Sequence, residues 1–386
     1  MARGTSRRVR AKTACPKEVL DAPLAVRLKF FKNAIVHHPL FDAMLECIED
    51  AVESGLPGSM LVLVGPAGVG KSSVGDTLHR QVSEDFFALN PDDKYTIPSA
   101  LVEAWAPEDG KFDWKDFYQQ ILEALQAPLI ENSLPEVKRV IAGREFWLPD
   151  ITERRGPTVT TLRARLRRAL RDRDPFLLFI DEASNVIQSP KIQRVKIKSN
   201  TLRSMVDNSN TTMIVSGAYD LYDLVLQSGQ LARRGDALHF PAYLPGQEGF
   251  AEALFSLEEI MPVKGGCNLD RYGDDFERES LRNMGLLKRI LMRVLTLSEN
   301  LKRPIDDEIV KKSFYKPAQW RRLRDEMFDG YLKVEGHQHP EDERELMPEG
   351  SDDVDTRVIQ KNNSTKKKLR VGKTKPSRPA IGAGRG

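Results

Sequence analysis

Glycines at positions 65, 68 and 70, followed by Lys71 and Ser72, are the first residues whose types and spacing imply chemistry. Such glycines let a backbone curl until several N–H groups point inward at one anion, and a helix starting there adds the positive end of its dipole. A lysine at the turn reaches β- and γ-phosphates as a point charge, and the adjacent hydroxyl holds a magnesium ion. The run Gly65-Pro66-Ala67-Gly68-Val69-Gly70-Lys71-Ser72-Ser73 fits Gly-x-x-x-x-Gly-Lys-Ser, a P-loop. Apolar Leu61–Val64 before it and a helix-prone segment after it are the context that makes the motif credible. The expected ligands are the phosphates of a nucleotide and Mg²⁺; the bland alternative is a glycine-rich turn without a ligand.

A second group lies far along the chain. Phe176-Leu-Leu-Phe-Ile180 reads as a buried parallel strand that delivers Asp181 and Glu182 at its C-terminal end, where open α/β sheets bind ligands. Asp181 suits a carboxylate that holds Mg²⁺, and Glu182 suits one that orients or deprotonates the water attacking a γ-phosphate. Alone the pair reads equally as a helix cap; beside the P-loop it completes one site. Ser216, at the polar end of the strand Thr211–Gly217, either touches the γ-phosphate or its water, or satisfies a turn. In Gln230-Leu-Ala-Arg233-Arg234, an arginine is placed to serve a neighbouring subunit's nucleotide as an arginine finger, an effect on the order of 10³-fold or more. The bland alternative there is a surface salt bridge.

The elements that must position these groups alternate in the α/β manner. Pro39 opens a helix with apolar Leu40, Phe41, Met44, Leu45, Ile48 and Val52, broken by Gly55-Leu-Pro-Gly58. After the P-loop unit, Tyr95–Trp105 reads as a strand and Trp114–Leu125 as a helix. Residues 129–157, interrupted by Pro135, Pro149, Gly156 and Pro157, read as an insertion. Thr158–Asp172 is an arginine-rich helix, Lys191–Val206 another, and Leu238–Tyr243 the last strand. Gln247–Leu297 reads as helical, and a short folded piece ends near Arg324. The expected organisation is a basic arm at 1–35, disordered through 20, then an α/β ATPase subdomain at 36–246. A helical lid at 247–300, a short extension at 301–335 and a disordered acidic-then-basic tail at 336–386 follow.

Bulk properties narrow the classes. No run of ~18 apolar residues exists, so no membrane span is expected, and the basic Met1–Arg10 has no apolar core of a secretory signal. Three well-separated cysteines offer no disulfide or zinc spacing and fit a reducing, cytoplasmic setting. His37-His38 and His337-Gln-His339 read as solvated side chains rather than metal ligands. The net charge is +3, but Met1–Lys17 holds six Lys/Arg and Arg357–Gly386 ten, neither with an acid. Basic arms on a balanced body point to nucleic acid, to an acidic patch on a protein, or simply to solubility.

In order and type, Gly65–Ser72, Phe176–Glu182, Val215-Ser-Gly217 and Gln230–Arg234 resemble an AAA+ ATPase. His38-Pro39 before a helix, and Gln230-Leu with arginine before an apolar strand containing Pro241, are similar to the TniB/TnsC transposition regulators. The resemblance covers roughly Ile35–Leu297. It implies an AAA+ P-loop core, a parallel sheet flanked by helices with a small α-helical lid, that hydrolyses ATP. It implies a homo-oligomeric ring or filament on duplex DNA, contacted without sequence preference, that links a target-selector protein to a transposase and is dismantled by hydrolysis in a bacterial cytoplasm. By the same resemblance Lys71 and Ser72 bind phosphate and Mg²⁺, Asp181 holds Mg²⁺, Glu182 is the catalytic carboxylate and Arg234 the finger. A lid sensor falls within Asn283-Met-Gly285-Leu-Leu-Lys288-Arg289, with Lys288 the nucleotide-binding candidate. Candidate DNA contacts are Lys111, Lys115, Arg163, Arg167, Lys191, Arg194, Lys196 and Lys198. The competing reading is an origin-recognition or helicase-loader ATPase, which calls for a winged helix after the lid.

Overall fold

The structure is a computed structural model. It describes residues 15–54, 58–108, 110–127, 136–141, 144–149, 157–187, 192–207, 209–227, 237–245, 247, 249–264 and 267–336. Three helices come first: α1 (Lys17–Leu20), α2 (Leu24–Asn33) and α3 (Pro39–Ser54). β1 (Met60–Val64) runs through the glycine loop into α4 (Lys71–Leu89), then β2 (Ser99–Glu103) and α5 (Trp114–Ala124). β3 (Glu136–Ile141) and β4 (Arg144–Pro149) pair antiparallel as a separate hairpin. α6 (Val159–Arg173), β5 (Leu177–Asp181), α7 (Ser184–Ile187) and α8 (Ile192–Val206) follow. β6 (Thr212–Gly217) passes through a 3₁₀ turn at Tyr219–Tyr222 into α9 (Asp223–Gln227), and β7 (Ala237–His239) is the last strand described. The described residues beyond it hold α10 (Phe250–Ile260), α11 (Gly273–Glu279), α12 (Met284–Leu301), α13 (Asp307–Ser313) and α14 (Pro317–Glu335).

The main sheet is parallel in the order β2-β5-β6-β1-β7. Its central strands are buried on both faces, which is why they read as unbroken apolar runs. The period of two survives in the packing. Met60, Val62 and Val64 face the core built with α5, α6 and α8, whereas Leu61 and Leu63 face Phe41, Ile48, Val74 and Leu78 of α3 and α4. A third core joins α2 to α10–α14 around Leu287, Ile290, Leu291 and Val294. Each fully buried Leu or Val contributes about 1.5–3 kcal/mol, so the alternation holds β1, and the loop it feeds, between two helical layers.

Several elements differ from the sequence expectation for identifiable reasons. The chain is already helical at Lys17–Leu20, inside the stretch expected to be disordered. The insertion contains the β3–β4 hairpin, in which Pro149 occupies the end position opposite Glu136. The last strand stops at His239 instead of continuing to Tyr243, because Pro241 has no N–H to give a ladder. The stretch expected to be helical over 247–297 is divided among three α-helices; Pro262 follows the first, and left-handed Leu281 (φ 52°) and Arg282 (φ 55°) precede the third. The final helix runs on to Glu335, well past Arg324. There Lys333 pairs with Asp223 at 2.8 Å, and Glu335 Oε1 lies 2.5 Å from His239 Nδ1. α14 thus starts in the third core through Trp320 and ends against the sheet edge. Residues 337–386, with the expected tail and His337-Gln-His339, lie outside the described residues.

Candidate functional site

The loop between β1 and α4 is built to leave donors open. α5, α6, α12 and α13 begin with Asp113, Thr158, Asn283 and Asp306, whose side chains accept from their first-turn N–H groups. α4 begins with Gly70 at φ 117°, a conformation that L side chains rarely adopt, and no side chain caps it. Its first-turn N–H groups and dipole are therefore available to an anion. Lys71, the first residue of α4, is buried, and its Nζ donates to Gly65 O and Pro66 O at 2.9 Å each. Burial lowers its pKa to about 8, against the opposing pull of Glu182, Asp181 and Asp220. Ser72 is exposed on the same turn, next to the half-buried Ser73.

The parallel sheet brings the second group to the same edge. Ile180 pairs with Val215 and Leu63 with Ser216, so Asp181 and Ser216 end neighbouring strands. Ser216 is fully buried, and its Oγ donates to Asp181 Oδ1 in a short hydrogen bond. Glu182 N donates to the same oxygen at 2.9 Å. Among the described residues both donors meet Oδ1, which leaves Oδ2 for a cation. An exposed hydroxyl at Ser72 and a carboxylate oxygen at Asp181 are hard oxygen donors of the kind Mg²⁺ takes beside a phosphate.

Glu182 is exposed and holds φ at 50°. A non-glycine residue in that region costs roughly 1–2 kcal/mol, so neighbouring contacts must hold it there. They are visible: Ala183 N donates to Ser216 O at 2.8 Å, Ser184 Oγ donates to Asp220 Oδ1 at 2.6 Å, and Ala218 N donates to Ser184 Oγ at 3.1 Å. Desolvation, then the charge of Asp181, raises the Glu182 pKa, with Lys71 opposing and Glu103 and Asp220 adding smaller upward pushes. Glu103 ends β2 in register with Asp181. Glu103 and Asp220 are thus site carboxylates that motif reading missed; the strand-end position of Glu103 was the available signal.

The start of α12 closes over the loop. Asn283 is fully buried, and its Oδ1 accepts from Gly285 N at 3.0 Å and Leu286 N at 3.1 Å. Its Nδ2 donates to Ala67 O at 3.2 Å, and Gly285 N also donates to Gly68 O at 2.8 Å. The amide orientation is forced, because reversing it would set NH₂ against two backbone N–H groups. Left-handed Arg282 just before it is fixed through Tyr243: its Nε donates to Tyr243 O at 3.2 Å, and its carbonyl accepts from Tyr243 N at 3.3 Å. Tyr243 Oη in turn lies 2.8 Å from His38 Nδ1. His38 is 4% exposed, so its reading as a solvated side chain is corrected: it packs where the chain enters α3.

Lys288, further along α12, turns to the C-terminal end of α2. Its Nζ donates to Ala34 O at 2.6 Å beside the Phe31 ring, and burial lowers its pKa to about 8. From this helix it is Asn283 and Gly285 that touch the loop. The N-cap signature, Asn before an apolar periodic helix, was the signal that marked Asn283. Arg233 and Arg234 lie outside the described residues, as does Lys191, and the Arg194 side chain is not described. Arg163 Nη2 donates to Ser204 Oγ at 2.7 Å, which occupies it within the helical layer. Lys111, Arg167 and Lys196 are exposed and Lys115 is half-buried.

The sheet order, the open loop and the strand-end carboxylates define the AAA+ P-loop ATPase fold. Residues 56–225 match the family described as AAA domain. Among solved structures, the chain is similar to the Aeropyrum pernix ORC1 protein in complex with DNA. Identity is 15% and TM-score 0.50, over 82% of this chain and 72% of that one. It is also similar to Cdc6p from Pyrobaculum aerophilum (17%, TM-score 0.49, 74% and 69%). A further similarity is to domain III of the Thermotoga maritima replication initiation protein DnaA (14%, TM-score 0.41, 74% and 97%). At these identities the likeness concerns fold alone. No curated protein matches the chain in sequence. Among the described residues no helix is long and apolar enough to cross a membrane.

Proposed function

We propose that this protein is an ATP-hydrolysing regulator of DNA transposition of the TniB/TnsC kind. It assembles with ATP on duplex DNA and links a target-selecting protein to a transposase. The observation that carries the hydrolytic part is the meeting of Lys71, Asp181 and Glu182 at one sheet edge. On ATP binding, Lys71 exchanges the carbonyls of Gly65 and Pro66 for β- and γ-phosphate oxygens, and the open N–H groups of α4 take the rest. Ser72 and Asp181 would hold Mg²⁺, whose charge would offset that of the phosphates. Ser216 orients the Asp181 carboxylate. Glu182 orients and deprotonates the attacking water, and Arg234 of a neighbouring copy faces the γ-phosphate, so that the site is complete only in an assembly.

What favours a transposition regulator over a replication initiator is the motif layout together with the chain after α12. Residues 307–313 and 317–335 form α13 and α14, which fold back on α12 and on the sheet edge, and the described residues after α12 hold no winged helix. The fold likeness to ORC1 is shared by both readings. Exposed lysines and arginines on such a body bind DNA phosphates weakly and without sequence preference, and repetition along an assembly makes that contact strong. Negative-stain microscopy with a non-hydrolysable ATP analogue, with and without duplex DNA, tests the proposal. Regular rings or filaments are expected only with both. Monomers under every condition would overturn it.

The lowered Lys71 pKa gives the binding step a pH signature. Below pH 8 the ammonium is charged both free and phosphate-bound, so affinity for ATP is flat. Above about 8 the free protein loses this proton and binding must take one up. Affinity then falls by up to about tenfold per pH unit until the pH passes the raised pKa of the bound state. Titration of a fluorescent ATP analogue at pH 7, 8 and 9 measures this slope. A flat profile would show that Lys71 keeps its proton throughout.

A further inference from the structure

Between α3 and α4 on one side and α10 on the other runs a groove of 1290 Å³. Its floor is apolar, with Ile48, Val52 and Val82, and Phe255 on its wall is 45% exposed. Its rim is acidic. Seven carboxylates line it, Asp42 among them in contact with His37 Nδ1 at 2.7 Å, and among the described residues no lysine or arginine does. Four of them, Asp42, Glu46, Glu49 and Glu53, follow the i, i+4, i+7, i+11 spacing of one helical face along α3; the others come from α4 and α10. Like charges at helical neighbours repel, so this stripe favours a cationic occupant with some apolar surface.

The chain carries such a segment. Residues 1–14, outside the described residues, hold Arg3, Arg7, Arg8, Arg10 and Lys12 and no acid, with Val9 and alanines between. The point where this arm joins the body is fixed next to the groove. Arg27 of α2 donates to Pro262 O at 2.9 Å, and Asp21, between α1 and α2, pairs with Lys264 at 3.2 Å. Pro262 lies two residues past Ile260, which lines the groove. Fourteen extended residues reach about 46 Å, whereas the sixteen residues of α3 span about 24 Å. In an extended arm Arg8, Arg10 and Lys12 fall on one side about 7 Å apart, close to the rise between successive carboxylates on α3. The basic C-terminal segment suits the groove less well: the acidic run Glu341–Asp355 precedes it, and α14 ends on the opposite side of β1, at the β7 edge.

We propose that the acidic groove between α3, α4 and α10 is the docking site of the chain's own N-terminal arm, residues 1–14. While docked, the arm's five cations face carboxylates and are withdrawn from any other polyanion.

Zero-length carbodiimide coupling on the full-length protein, followed by proteolysis and mass spectrometry, tests this. Lys12 is the only lysine in the arm. It is expected to couple to Glu46, Glu49 or Glu53 in the monomeric fraction, with yields falling at least fivefold between 50 and 500 mM NaCl as salt screens the pairing. The combined Glu46→Gln, Glu49→Gln and Glu53→Gln variant, altered only at exposed positions, loses these links. So does the combined Arg7→Glu, Arg8→Glu and Arg10→Glu variant, which leaves Lys12 and the folded body untouched. No coupling to groove carboxylates, coupling confined to cross-linked dimers, or coupling that survives the arm's charge reversal would each overturn the proposal.

Discussion

Glu182→Gln is expected to leave ATP binding intact and to slow hydrolysis by about 10²- to 10⁴-fold, the range that general-base assistance contributes. The amide keeps the volume and tolerates the φ of 50° as poorly or as well as the acid, so the turn between β5 and α7 stays as it is. What changes is the ability to accept a proton. The wild-type group has a pKa raised by desolvation and by Asp181. A base must be deprotonated to act, so wild-type turnover falls on acidification, beginning at a higher pH than for an ordinary glutamate. The variant lacks that limb of the profile. Phosphate release at saturating ATP, measured across pH 5 to 8, reads both effects. In the proposed cycle hydrolysis dismantles the assembly, so DNA-bound assemblies of the variant should also persist longer. Unchanged turnover would remove Glu182 from the base role.

The chemistry of this site was legible because it is local. Gly65 to Ser72 and Asp181-Glu182 each carry their role in a few adjacent residues, and the strand-to-helix context follows from short-range pattern. The contacts that complete the site join residues far apart in the chain, and no pattern within one segment reports them. Ser216 meets Asp181 only because β5 and β6 pair in a particular register, and Asp220 approaches Lys71 only through the turn after β6. Lys288 was the natural choice for a sensor by charge, yet its position on α12 turns it to Ala34, while uncharged Asn283 and Gly285 face the loop. The β3–β4 hairpin was hidden by prolines read as breaks. His38 was misplaced because a polar side chain is assigned to solvent unless a partner such as Tyr243, two hundred residues away, is in view. Left-handed Leu281 and Arg282 have no sequence signature at all; tertiary contacts impose them.

Gly285→Ala is expected to weaken ATP binding by about 5- to 150-fold, although the same change in an ordinary helix is favourable. Within a free-standing helix, alanine exceeds glycine by roughly 0.5–1 kcal/mol. Here a Cβ at position 285 would stand 2.4 Å from Gly68 O and 2.7 Å from Gly68 Cα, both backbone atoms of the phosphate loop. No rotamer relieves that contact, so either the loop or the start of α12 must shift. Overpacking of this kind costs about 1–3 kcal/mol, which exceeds the helical gain. The shift also lengthens the 2.8 Å bond from Gly285 N to Gly68 O and pulls Asn283 Nδ2 from Ala67 O. These bonds hold the curl of the loop from the side opposite the phosphates, so their loss falls on nucleotide affinity as well as on stability. Nucleotide titration and thermal melting of the variant separate the outcomes. A lower affinity with an unchanged or lower melting temperature is expected, and Asn283→Asp, which keeps the cap on α12 but loses the donor to Ala67, should show a smaller drop. A Gly285→Ala protein that melts higher and binds ATP as before would show that the contact between α12 and the loop yields without cost, and that the loop holds its shape unaided.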